Sequence, residues 1–301
     1  MQLHGSICAL VTPFDAREQL DLPALDRLLD WHLASGTHGL VLAGSTGEAA
    51  LLDDDEYRAL IGHAAARVGG RMPLIAGVGS PSTRRTLALA GMAANAGADA
   101  VLAVTPYYVR PPQHGLLAHY LHLAVESPLP VILYNVPGRT GCDLRPETVA
   151  ALSAHPRIIG VKEAVAEPER MTALLKLQSP GFAVLSGDDP TALGAMLAGA
   201  RGTISVAANV APRLFAILCE RALSANEATR MTAAALDAQL SDLYRVLALE
   251  SNPIPAKWAL HRLGYLQPLH RLPLTPLSAQ HHATIDQCLA TLASLDANLV
   301  G

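Results

Sequence analysis

Short apolar runs rich in valine and isoleucine alternate along the chain with longer stretches of helical period. The runs are SICALVTP (6–13), GLVLAGS (39–45), PLIAGVG (73–79), AVLAVTP (100–106), PVILYNVP (130–137), IIGVKEAV (158–165), FAVLSGD (182–188) and GTISVAA (202–208). Each predicts a strand, and the segments between them, such as LPALDRLLDWHLASG and DEYRALIGHAAARVGG, predict helices, several closing on glycine as helix C-termini do. Strand and helix in strict alternation give a parallel sheet wrapped by helices. Eight such units in about 210 residues fit a closed (β/α)8 TIM barrel, whereas a doubly wound open sheet usually stops at fewer strands. The remainder, roughly 210–301, reads as helical and is broken by SNPIP and RLPLTPLS, with no low-complexity linker. The predicted organisation is a catalytic barrel over 1–225 and a C-terminal helical region over 226–301.

Composition supports this picture and removes several functional classes. A chain of 301 residues, 50% hydrophobic and 16% charged, can bury a large core and is not a disordered protein. A net charge of −4 without a basic run gives no footprint for nucleic acid or an anionic membrane, so small molecules or other proteins are the expected partners. No apolar run reaches membrane-spanning length and the N-terminus has no secretory pattern, so the expected location is the cytoplasm. The four cysteines form no Cys-x-x-Cys pair and the twelve histidines show no ligand spacing at a strand end, so no metal is expected.

In a (β/α)8 barrel the active site lies at the C-terminal ends of the strands, which makes polar residues there informative. Lys162 is the first of these. It is one of only three lysines in a chain whose Lys and Arg total 22, and it is embedded in the apolar run IIGVKEAV. Desolvation there favours a neutral, nucleophilic amine, a state arginine cannot reach. The plainer alternative is a strand-end lysine paired with Glu163 or with a distant carboxylate. Lys176 and Lys257 fit helix surfaces or helix starts and are read as structural.

Three further features surround this lysine in the predicted barrel. LAGSTGE (42–48) sets Ser45 and Thr46 between glycines after the second strand, where hydroxyls and amides can converge on a small anion. An ordinary capped turn would look the same, and Glu48 beside it is read as a helix-start or supporting residue rather than a base. VILYNVPGRTG (131–141) carries Tyr134 one stave before Lys162, where a phenol can either move protons at the lysine nitrogen or cap a loop carbonyl. Arg139 follows in the loop, where a guanidinium fork can hold a carboxylate or equally stand solvated. The run AGVGSPS (76–82) has Ser82 where a dinucleotide fingerprint needs its third glycine, so no NAD site is expected.

GSTGE (44–48), TPYYVRPPQHG (105–115), YNVPGRTG (134–141), GVKEA (160–164), SGDD (186–189), GTISV (202–206) and NPIPAKWAL (252–260) occur in this order along the chain. In these motifs the chain resembles, essentially end to end, the dihydrodipicolinate synthase and N-acetylneuraminate lyase superfamily. The resemblance is strongest to the dihydrodipicolinate synthase branch, which condenses pyruvate with aspartate 4-semialdehyde without a cofactor. It implies that Lys162 forms the Schiff base and that Thr46, Tyr134 and Tyr108 relay protons, Tyr108 from a neighbouring subunit of a homotetramer built as a dimer of dimers. It further implies that Ser45 and Thr46 hold the pyruvate carboxylate, that Arg139 holds that of the semialdehyde, and that Gly187 and Ile204 present carbonyls to the pyruvyl group.

Arg139 favours the synthase over the sugar-acid aldolases, whose longer hydroxylated substrates need no second carboxylate clamp. Ser45 stands where the synthases more often carry threonine, a spelling shared with the sugar-acid branches. An N-acetylneuraminate or 2-keto-3-deoxy-sugar-acid aldolase, a related dehydratase or hydratase-aldolase, and a non-catalytic ligand-binding paralogue are the alternatives. At the positions where lysine-inhibited members line an effector site, this chain has Ala49, Asp54, Tyr57, Pro81 and Arg85, with Tyr107 retained. The resemblance therefore implies weak or absent feedback by lysine.

Overall fold

The computed structural model describes residues 3–298. Every predicted run contains a strand: β1 Gly5–Ala9, β2 Gly39–Leu42, β3 Leu74–Gly77, β4 Ala100–Val104, β5 Val131–Asn135, β6 Ile158–Glu163, β7 Ala183–Ser186 and β8 Gly202–Ser205. Neighbours pair in parallel in sequence order, and β8 returns to β1 with Ile7 opposite Ile204, closing the barrel. The helices are α1 Leu22–Ala34, α2 Asp54–Val68, α3 Thr83–Asn95, α4 Gln113–Glu126, α5 Pro137–Thr140, α6 Pro146–Ser153, α7 Pro168–Leu175, α8 Asp189–Leu197 and α9 Pro212–Ala222. Three more, α10 Glu227–Leu247, α11 Ile254–Arg262 and α12 His282–Asn298, follow the last barrel helix. Among the described residues no helix is long and apolar enough to cross a membrane.

The strands are shorter than the apolar runs that predicted them, mostly at their C-terminal ends. After β2 the backbone of Ala43 takes a left-handed φ of 47°, which turns the chain out of the ladder before Ser45. Ser45 and Thr46 therefore belong to a loop over the barrel mouth rather than to a strand end.

Strand alternation divides the core in two. Ile7, Val41, Ile75, Leu102, Ile132 and Ile204 fill the barrel interior, while a larger apolar layer joins the outer strand faces to the helices. On β6 the same alternation turns Lys162 inward and Glu163 outward. α10 packs against α8 and α9, α12 lies across α10 and α11, and the chain entering α11 passes back over the mouth of the barrel.

Candidate active site

Lys162 is buried, with 4% of its surface exposed, and its Cα is in register with Tyr134 on β5 and Leu185 on β7. Its Nζ lies 4.4 Å from the centre of the Tyr134 ring. The amine thus sits over the ring face rather than against the phenol hydroxyl, the result of two inward side chains standing opposite each other on adjacent strands about 4.8 Å apart. Among the described residues no carboxylate forms an ion pair with Lys162; Glu163 instead accepts from Arg170 Nε at 2.7 Å, Asn135 Nδ2 at 3.0 Å and the Val165 amide at 2.9 Å. Burial pushes the Glu163 carboxyl above its ordinary range against the pull of Arg170. The plainer reading of Lys162 as the partner of Glu163 does not hold.

Gly187 clears the space in which Lys162 lies. A Cβ on it would come within 2.7 Å of Lys162 Cε and 2.9 Å of its Cγ. Asp189 follows, its Oδ2 accepting from the amides of Val206 at 3.1 Å and Ala207 at 2.8 Å, so that it ties the start of α8 to the end of β8. Burial raises its carboxyl above the usual value, and the charge of Lys162 opposes that shift.

Above the lysine opens a cavity of about 420 Å³ lined by Ser45, Thr46, Tyr134, Arg139, Lys162 and Gly187. It adjoins a second cavity of about 500 Å³ that shares Ser45, Tyr134 and Arg139 and extends past Tyr57, Arg85 and Tyr107. Among the described residues the amides of Ser45 and Thr46 have no hydrogen-bond acceptor, so two N–H donors are free where the glycine-bracketed turn faces the cavity. Arg139, on the short helix α5, reaches across the mouth and donates from Nη2 to the Asn252 carbonyl at 3.2 Å. The cavity thus offers a ligand's carboxylates two kinds of donor, free amides and a guanidinium.

Not every expected residue joins this group. Thr46 Oγ1 accepts from Asn252 Nδ2 at 2.9 Å, and within this chain neither Tyr134 nor Tyr108 is hydrogen-bonded to it. Tyr108 is 88% exposed, on a loop where its own φ is 70°, and it does not line the cavity. Ile204 is fully buried in the barrel interior, with Val206 rather than Ile204 reaching the cavity wall. Among the described residues no three His, Cys, Asp or Glu side chains group as a metal site requires.

Two residues at the site were not anticipated. Asn252 touches both Thr46 and Arg139, though its motif NPIPAKWAL gave no hint of where the segment would lie. Lys257, read as a helix-start or surface residue, does lie in α11 but is completely buried, with Nζ 2.5 Å from Glu48 Oε1. A charge can be buried there because an opposite charge from a distant loop meets it.

A closed (β/α)8 barrel with a buried lysine at the mouth, a tyrosine on the neighbouring stave and anion-binding groups on either side defines an enzyme of the class I, imine-forming lyase type. A model of the Dihydrodipicolinate synthetase family matches residues 2–292, and the chain belongs to that family. It is 54% identical over 297 residues to the 4-hydroxy-tetrahydrodipicolinate synthase of Xanthomonas axonopodis pv. citri, covering 99% of this chain and 97% of the relative. It is 51% identical to the enzyme of that name from Stenotrophomonas maltophilia, with 99% of each chain covered. Among solved structures, the chloride-inhibited dihydrodipicolinate synthase of Acinetobacter baumannii complexed with pyruvate superposes with a TM-score of 0.94 at 42% identity, covering 97% of this chain and 99% of that one.

Proposed function

We propose that this chain condenses pyruvate with aspartate 4-semialdehyde to give 4-hydroxy-tetrahydrodipicolinate, with Lys162 as the covalent nucleophile. The observation that carries the reading is the placement of the Lys162 amine over Tyr134 in a cavity also lined by Ser45, Thr46 and Arg139. Membership of the family and the activity named for its relatives at about half identity agree with it.

The neutral amine adds to the pyruvate ketone, Tyr134 passes a proton to the departing hydroxyl, and loss of water leaves a protonated imine. Its positive nitrogen acts as an electron sink, so a methyl proton is lost and an enamine forms. The enamine carbon attacks the aldehyde of the second substrate, whose carboxylate Arg139 orients, and a carbon–carbon bond is made. The substrate's own amine then displaces Lys162 from the imine carbon, closing the ring and freeing the lysine. No bound cofactor enters the sequence.

Tyr108 completes the proton relay from a second copy of the chain in this reading, as a dimer of dimers would allow. Its exposure at the tip of the loop after β4 supports a role across an interface.

Borohydride reduction in the presence of pyruvate, followed by peptide mass analysis, tests the reading. The expected adduct is on Lys162. An Arg139→Ala variant is expected to trap pyruvate normally and lose semialdehyde turnover. An adduct on another residue, or none, would sink the mechanism; sugar-acid cleavage in place of condensation would reassign the second substrate.

A further inference from the structure

The loop that offers its amides to the cavity is fastened by a buried pair of opposite charges, Glu48 and Lys257. Glu48 closes the GSTGE turn with a left-handed φ of 55°, a conformation a glutamate holds only when its surroundings impose it. Its Oε1 meets Lys257 Nζ at 2.5 Å, and His270 Nδ1 stands 3.6 Å away. Lys257 Nζ also donates to the Leu269 carbonyl at 2.7 Å and lies 4.5 Å from the centre of the Phe14 ring. Glu48 is 3% exposed and Lys257 is fully buried, so water does not screen the pair.

The same stretch of chain grips the loop a second time. Asn252 opens the segment that leads into α11 and donates to Thr46, and Lys257 follows one helical turn later. Thr12 Oγ1 donates to the Gly47 carbonyl at 2.7 Å from the end of β1. The free amides of Ser45 and Thr46 are therefore suspended between three fixed points, two of them on α11 and its approach. Glu48 itself is held as a carboxylate: burial pushes its acid up, but His270 and Lys257 outweigh that and bring it below the ordinary value.

We infer that the buried Glu48–Lys257 pair positions the anion cradle of Ser45 and Thr46 for the carboxylate of pyruvate. Both are positioning residues, and the inference rests on the pyruvate-imine reading given above. Loss of either charge lets the turn relax from its left-handed cap, and the two amides drift from the lysine they face. The effect falls on binding of the first substrate rather than on later steps, because neither residue is hydrogen-bonded or ion-paired to Lys162, Tyr134 or Arg139.

The test compares the full chain with Glu48→Gln, Lys257→Met and the double variant, following borohydride trapping on Lys162 against pyruvate concentration, steady-state kinetics and thermal unfolding. Each variant is expected to need on the order of ten-fold more pyruvate for half-maximal trapping, as misplacement of a binding group by a fraction of an ångström entails, while kcat at saturation stays within about three-fold. The double variant removes both buried charges together and is expected to fold more stably than either single one, yet to keep the raised pyruvate requirement.

Folded variants that trap pyruvate at the wild-type concentration overturn the inference and leave the imine reading intact. A set in which no variant folds assigns the pair to folding alone and overturns it equally. Absence of any pyruvate adduct on the wild-type chain would instead remove the imine reading, and this inference with it.

Discussion

Tyr134 and Lys162 are register partners on adjacent strands, and the amine of one stands 4.4 Å from the ring centre of the other. An ammonium over a tyrosine face is held by the ring quadrupole. The ring therefore holds the lysine in place, and in the proposed reaction its hydroxyl carries the protons.

Tyr134→Phe keeps the ring and removes the hydroxyl, which separates those two parts. The variant is expected to fold normally and still form the borohydride-trapped adduct, with kcat lowered by about 10²- to 10³-fold as loss of a general acid–base group entails. Near wild-type turnover in a steady-state assay would exclude Tyr134 from the proton transfers.

Gly187→Ala introduces a methyl group 2.7 Å from Lys162 Cε, closer than two carbons can approach. The lysine is the flexible partner and must swing aside, so the fold should survive while the nucleophile is misplaced. We expect kcat/KM to fall by about 10- to 100-fold with little change in melting temperature. Unchanged kinetics would mean that the lysine has room the structure does not show.

Acid stability should be governed in part by two buried histidines outside the site. His32 shares Nδ1 with the Thr37 hydroxyl at 2.9 Å and His119 with that of Thr83 at 2.8 Å. Burial pushes His32 down to about 3 and His119 down to about 4. Both folded values lie below the unfolded value of about 6.5, so the unfolded chain binds protons that the folded one refuses. Their contribution is complete above about pH 6.5 and is lost as pH falls toward the folded values, at up to about 1.4 kcal/mol per pH unit for each group. His32→Gln with His119→Gln should flatten the fall in urea midpoint between pH 6.5 and pH 5; an unaltered slope would contradict this.

Feedback by lysine is expected to be weak or absent. The second cavity presents Arg85, which donates to Asp54 through Nη1 at 3.0 Å, and Tyr57, whose hydroxyl donates to the Gly77 carbonyl at 3.0 Å. An incoming lysine ammonium would meet a guanidinium and a phenol already committed to the backbone. Half-inhibition of turnover at submillimolar lysine would reverse this expectation.

The sequence by itself determined the barrel, because eight apolar runs separated by helical segments leave few other ways to cover a parallel sheet. It also determined the lysine and its tyrosine neighbour: alternation along β6 puts Lys162 and Glu163 on opposite faces, and the order of strands sets Tyr134 beside the former. Motifs local to one turn, GSTGE and YNVPGRTG, likewise carried Ser45, Thr46 and Arg139 to the cavity wall.

The tertiary structure decided what depends on distant segments meeting. Thr46 and Asn252 are 206 positions apart, and Glu48 and Lys257 are 209 apart, so no periodicity or spacing along the chain connects them. A lysine in a helical segment reads as solvated because burying its charge alone costs several kcal/mol; only the arrival of Glu48 from the far side of the barrel makes the buried position possible. The ends of the strands were equally beyond the pattern. Ala43 is apolar and continues its run, yet its left-handed backbone ends β2 and lifts Ser45 and Thr46 into the loop that faces the lysine.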